Sequence, residues 1–140
     1  MKQRINTILM TLVMIFTMST FCNTVSAHTN DNVQYYKAYQ YTQKMSYASD
    51  FDDWTTVNIP IVFNLTTDQI IIYSKRTQTY YIYKYETYTS NEGRRAVRFY
   101  FVDQDLDKGC CRLVIRNDGT SQIYIDFSNI SWVYNVVRTK

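Results

Sequence analysis

Histidine is almost missing from this chain: His28 is the only one among 140 residues. A Ser–His–Asp hydrolase is thereby excluded, since its imidazole must be oriented by neighbours and His28 would open the mature chain, where backbone is poorly held. Zinc sites built on several histidines fall by the same count. An N-terminal copper site needs a second imidazole, and the chain has none to offer. Proline occurs once and glycine three times, which rules out collagen-like or linker-rich organisation. The three cysteines, Cys22, Cys110 and Cys111, make no Cys-x-x-Cys pair of the redox type. No apolar run approaches the roughly 20 residues needed to cross a bilayer as a helix.

What stands at the start reads as an export signal. Lys2 and Arg4 precede an apolar stretch from Ile8 to Met18, and Val25-Ser26-Ala27 places small residues where a signal peptidase cuts. The expected organisation is a cleavable signal over 1–27 and one domain over 28–140. The protein is then exported to the periplasm or the extracellular space, with no membrane span after cleavage. A membrane anchor is the rival, but Thr11 and Thr17 interrupt a stretch already short for that purpose. Lipidation at Cys22 would want a small residue before it, and Phe21 is bulky. Setting aside Lys2 and Arg4 leaves 13 of the 15 basic residues against 12 acidic ones. So balanced a chain lacks the concentrated basic footprint of a nucleic-acid partner.

Periodicity beyond residue 30 is that of β-strands. Tyr35, Tyr39, Tyr41, Met45 and Tyr47 alternate with polar residues and predict a strand with its odd face buried. Val57, Ile59, Ile61 and Phe63 predict a second, in which Pro60 belongs at an edge or bulge because it has no amide to donate. Ile70–Tyr73 and Tyr80–Tyr85 are short, nearly continuous apolar runs. Alternation returns at Val97–Val102, Cys111–Arg116, Ile123–Phe127 and Ile130–Val136. Polar connections at 75–78, 90–94, 103–109 and 117–120 suit hairpins, and no amphipathic helical pattern intervenes. The expectation is all-β: an antiparallel meander of seven to eight strands forming a small barrel, a curled sheet or a sandwich.

One turn sets a register. A two-residue Asp118-Gly119 loop would oppose odd positions to even ones across the hairpin. A three-residue loop, Asn117–Gly119 with Gly119 left-handed, instead pairs Leu113 with Ile123 and Cys111 with Ile125, keeping the apolar face whole. Ile70-Ile71-Ile72-Tyr73-Ser74 and Trp132-Val133-Tyr134-Asn135-Val136 are strings in which the chain, over about residues 54–138, resembles small exported β-proteins of gut Bacteroides-type bacteria. The resemblance implies a bacterial exported protein and carries no activity.

Several residues could bear chemistry. Cys110 and Cys111 are adjacent on a strand and point to opposite faces, too divergent for an undistorted disulfide; Cys111 is expected in the core, with a vicinal disulfide or an intermolecular link through Cys110 as alternatives. Asp103, Asp105 and Asp107 with Gly109 resemble the start of a calcium loop. Lys108 stands where its glycine should be and Val114 where its closing acid should be, so no metal is assigned and a solvated hairpin is expected. Asp126, Glu86, Glu92 and the Asp50–Asp53 cluster are carboxylates of the type a glycosidase needs, with nothing to hold any two at its working separation. No enzyme and no cofactor are expected. Asn64-Leu65-Thr66 and Asn129-Ile130-Ser131 fit the glycosylation pattern, which is inert in a bacterium.

Aromatic content is the unusual presence: 14 Tyr, 7 Phe and 2 Trp. Tyr80, Tyr81, Tyr83 and Tyr85 occupy both faces of one strand, and tyrosine suits both cross-strand core pairs and binding surfaces. Arg98, Arg112 and Arg116 are expected on a shared outer face with Tyr100, either as a basic patch or as a solvated face balanced by Asp126 and Glu86. The functional expectation is a non-enzymatic module presenting these tyrosines and arginines to a protein or glycan. The alternative is a carrier enclosing a small apolar ligand among Phe99, Phe101, Leu113, Ile125 and Trp132.

Overall fold

The computed structural model describes residues 32–140. The expected signal segment, with Cys22 and the cleavage point before His28, lies outside the described residues. Eight strands follow in order: β1 (Val33–Met45), β2 (Thr55–Asn64), β3 (Gln69–Tyr73), β4 (Thr77–Thr89), β5 (Arg95–Asp103), β6 (Lys108–Ile115), β7 (Thr120–Asp126) and β8 (Ile130–Arg138). Each pairs antiparallel with the next, and β1 pairs with β8, so the sheet closes into a barrel and hides its edges. Of the arrangements that alternation allows, the closed one is found.

The barrel interior is filled. Ile61, Phe63, Ile70, Ile72, Phe99, Phe101, Leu113 and Ile125 are buried to within 1% of full exclusion. Their rings interlock: Tyr36 meets Phe63 edge-on at 5.5 Å, Phe63 lies 5.4 Å from Phe99, and Tyr80 lies 4.4 Å from Phe101. Inward residues of this size close an eight-stranded barrel without leaving a channel. Pro60 sits as its missing amide requires: β3 begins to pair with β2 only at Ile61, so β2 has a partner on one side alone at that position.

Strand β1 departs from the single odd face expected of it. In its first half Gln34, Tyr36 and Ala38 face the core, while Tyr35 is 41% exposed. A bulge between Ala38 and Gln40 inserts one extra residue, and beyond it Tyr41 packs inward against Tyr134 at 5.3 Å. The odd assignment thus holds after the bulge and fails before it, because an inserted residue reverses the phase of a strand. Tyr47 lies in the β1–β2 loop, not on the strand.

Three hairpins use one loop design. N–H···O=C bonds Ser90→Arg94, Asp103→Asp107 and Arg116→Thr120 close three-residue loops, and the third loop residue is left-handed in each: Gly93 (φ 75°), Leu106 (φ 67°) and Gly119 (φ 82°). The last gives the register deduced from hydrophobic consistency, with Leu113 opposite Ile123 and Cys111 opposite Ile125. Leu106 breaks the rule twice, being an L side chain at positive φ and 79% exposed at a loop tip. Leu106→Gly is therefore expected to raise stability by about 0.5–1 kcal/mol. Urea unfolding checks this, and a lower midpoint would show that the leucine makes a contact the barrel depends on.

Candidate functional site

The outer face of β4–β7 is a ladder of charges and rings. Arg98 and Arg112 are direct cross-strand neighbours, an arrangement that like charges disfavour. Each is drawn to the strand beyond it: Arg98 Nη1 donates to Glu86 Oε1 at 3.0 Å, and Arg112 donates to both Asp126 oxygens at 2.6 and 3.2 Å. Ser131 also donates to Asp126. The Tyr100 hydroxyl donates to Glu86 at 2.7 Å; it, and after it Arg98, holds the Glu86 carboxyl below its ordinary range. The guanidinium of Arg98 lies 4.6 Å over Tyr88, that of Arg112 4.2 Å over Tyr124, and the Lys84 ammonium 5.1 Å from the Tyr100 ring. Burial opposes the charge on Arg112, but Asp126 outweighs it and Arg112 is held more strongly protonated. The arginines are balanced by the two carboxylates the residue pattern pointed to.

Structure divides the eight proposed contact residues. Tyr81, Tyr83, Arg98, Tyr100 and Arg112 share the barrel exterior, with Tyr83 and Tyr100 rings 6.5 Å apart. Tyr81 and Tyr83 are 42% and 57% exposed. Tyr80 and Tyr85 do not join them. Tyr80 is buried and donates to Gln78 at 2.6 Å, and Tyr85 packs 6.1 Å from Phe99. A bulge between Ile82 and Lys84 leaves Tyr83 outside the pairing and turns Tyr85 inward. Burial raises both phenols, Tyr85 to about 12. Arg116 lies past the end of β6, outside the ladder, with its Nε buried and unpartnered among the described residues.

The acidic loop and the cysteines resolve as local structure. Asp103 Oδ1 accepts from the backbone N–H groups of Asp105 and Asp107, both at 2.9 Å, so its carboxylate caps the loop. Asp103, Asp105 and Asp107 form no metal-holding group among the described residues. Both described cysteines are free: Cys111 is in the core and Cys110 faces out, half-buried. Burial, and then Asp126, push the Cys110 thiol up to about 11, which makes it a poor nucleophile.

An open cleft of about 480 Å³ lies where the β3–β4, β5–β6 and β7–β8 loops converge. Tyr80, Phe127 and Trp132 line its base, and Arg76, Gln104, Asp105 and Asn129 stand on its rim. Trp132 was expected among the inward residues of a carrier; it does face inward, at the barrel mouth. Phe99, Phe101, Leu113 and Ile125, the others of that set, are sealed in the core and pack where a carrier would keep space. Residue pattern did not single out Phe127, Arg76 or Gln104, and marked Asn129 only as part of a glycosylation pattern. The available signal was an aromatic at a strand end beside three short polar loops.

Comparison with protein-family models, with curated proteins and with solved structures gives no match. The fold defines the class, an eight-stranded antiparallel meander barrel with a filled interior. Function has to be argued from the chain's own surface.

Proposed function

We propose that this chain is an exported, non-enzymatic binding module that works in the periplasm or outside the cell. It docks a protein partner on the outer face of β3–β5. The observation that carries this reading is the exposure of Tyr73, Tyr81 and Tyr83, at 47%, 42% and 57%, outside a core already filled without them. Tyrosine covers contact area at low entropic cost and leaves a hydroxyl to orient the partner. Ile71 and Val102 lie half-buried on the same exterior and extend its apolar part, while the Glu86–Arg98 pair borders it with neutralised charge.

Tyr81→Ala with Tyr83→Ala tests the reading. Both rings are exposed, so thermal melting should stay within about 2 °C of the parent. Capture of a polypeptide from the host's exported fraction should fall by about tenfold or more, the loss expected of two aromatic anchors. Charge reversal at Arg98 should weaken capture less. Undiminished capture by the double variant, or recovery of a polysaccharide in place of a polypeptide, refutes protein docking on this face.

A further inference from the structure

We infer that the cleft at the loop end of the barrel is a second binding site, and that it takes a short neutral saccharide. Its base is aromatic and rigid. Phe127 lies 5.8 Å from Trp132 at an interplanar angle of 74°, and 6.2 Å from Tyr80. Phe101 supports two of the three rings from within the core, 4.4 Å from Tyr80 and 5.5 Å from Phe127. Rings fixed in this way need no ordering when a ligand arrives, which removes one cost of association. An aromatic face offers the non-directional half of sugar recognition, the C–H face of a pyranose.

The rim offers the directional half. Sugar hydroxyls both donate and accept, so a saccharide site needs groups of both kinds at its edge. Arg76, Gln104 and Asn129 bring N–H donors, Asp105 and Asp107 bring carboxylate acceptors, and all five line one cleft. Their side chains make no hydrogen bond to any other described residue; within the β5–β6 loop it is the backbone N–H groups of Asp105 and Asp107 that bond, to the Asp103 carboxylate. Gln78 uses its carbonyl oxygen on Tyr80, which leaves its amide N–H₂ group as a further donor.

Charge and size narrow the ligand. An anion would meet Asp103, Asp105 and Asp107, while Arg76 offsets only part of their attraction for a cation, so charge alone excludes the anion. An apolar ligand would strip water from the rim and return no hydrogen bonds. A neutral polyhydroxy molecule meets no charge repulsion and can use the donors and the acceptors of the rim together, which a simple cation cannot. A volume of about 480 Å³ lies in the range of small-ligand sites and accommodates a mono- or disaccharide.

The chain has two tryptophans, so Trp54→Phe leaves Trp132 as a reporter inside the cleft. Its emission is titrated with cellobiose, maltose and diacetylchitobiose, and with choline and inorganic phosphate as charged comparators. At least one disaccharide should give a saturable change with half-saturation below about 10 mM, and the charged comparators none. Adding Asp105→Ala and Asn129→Ala, both exposed, should weaken that response by about tenfold or more while melting is preserved. Tyr81→Ala with Tyr83→Ala should leave it unchanged, so loss of saccharide binding and loss of protein docking are separate results. No response to any of the three disaccharides overturns the inference. So does tighter binding of choline or phosphate, or a response that survives the rim variant.

Discussion

Raising the pH from about 10 to about 12 will strip the folded state of about 3 kcal/mol through Tyr36 alone, and the barrel will unfold in one cooperative alkaline transition. Burial pushes the Tyr36 phenol from 10.0 up to about 12, and its hydroxyl donates to Gln34 at 3.0 Å inside the core. Below pH 10 this phenol is neutral whether the chain is folded or not, so its full contribution is present. Above pH 10 the unfolded chain gives up the proton while the folded one retains it, and stability drains until the folded group itself ionises. Burial raises Tyr80 and Tyr134 in the same direction, and the buried Cys111 thiol begins the trend from its ordinary 9.0. Denaturant melts at stepped pH, followed beside the ultraviolet absorbance of tyrosinate, should show ionisation and unfolding together. Tyr36→Phe should flatten the slope by about one proton. Independent titration of all tyrosines near pH 10, with the barrel intact, would contradict the burial on which this rests.

Gly109→Ala is expected to cost about 3 kcal/mol, the upper end for a single overpacked methyl group. A Cβ at Gly109 would stand 2.6 Å from Phe101 Cζ, 2.8 Å from its Cε2 and 2.9 Å from the Asp126 backbone oxygen. The ring cannot step aside, because Tyr80 and Phe127 hold it from two directions, and the oxygen belongs to the paired strand β7. Shrinking the obstacle should relieve the clash. In a double-mutant cycle, Phe101→Leu should be far less damaging in the Gly109→Ala background than in the parent. Additive losses would mean that the collision is relieved elsewhere.

Much of this architecture was legible along the chain, for a physical reason. From Val97 onward the strands alternate without bulges, so inward residues kept their parity, and the Asn117–Gly119 loop set the β6–β7 register by hydrophobic consistency alone. That register also made Arg98, Arg112 and their carboxylate partners Glu86 and Asp126 foreseeable as one outer face. Parity failed in β1 and β4, where single extra residues near Tyr39 and at Tyr83 reverse the pattern without a glycine or proline to mark the place. Tyr85 therefore packs inward on Phe99, where unbroken alternation would place it outside with Tyr81 and Tyr83. Closure and the cleft both depend on segments distant in sequence: β1 must meet β8, and Arg76, Gln104 and Asn129 converge from three loops.

The pairing of β1 with β8 also concentrates the entropic cost of folding in one place. Each of the other seven pairings joins consecutive strands, so it can grow from a local hairpin with a short loop to close. The seam alone unites the two ends of the described chain, bringing Tyr36 opposite Arg138 and the Thr139 amide to the Tyr35 carbonyl at 2.8 Å. Closing a loop of that length costs about 3 kcal/mol more in chain entropy than closing a hairpin turn. Nearly all the non-local cost of making this protein therefore falls on one seam, and the long run of pairs from Tyr36–Arg138 to Met45–Ile130 is what offsets it.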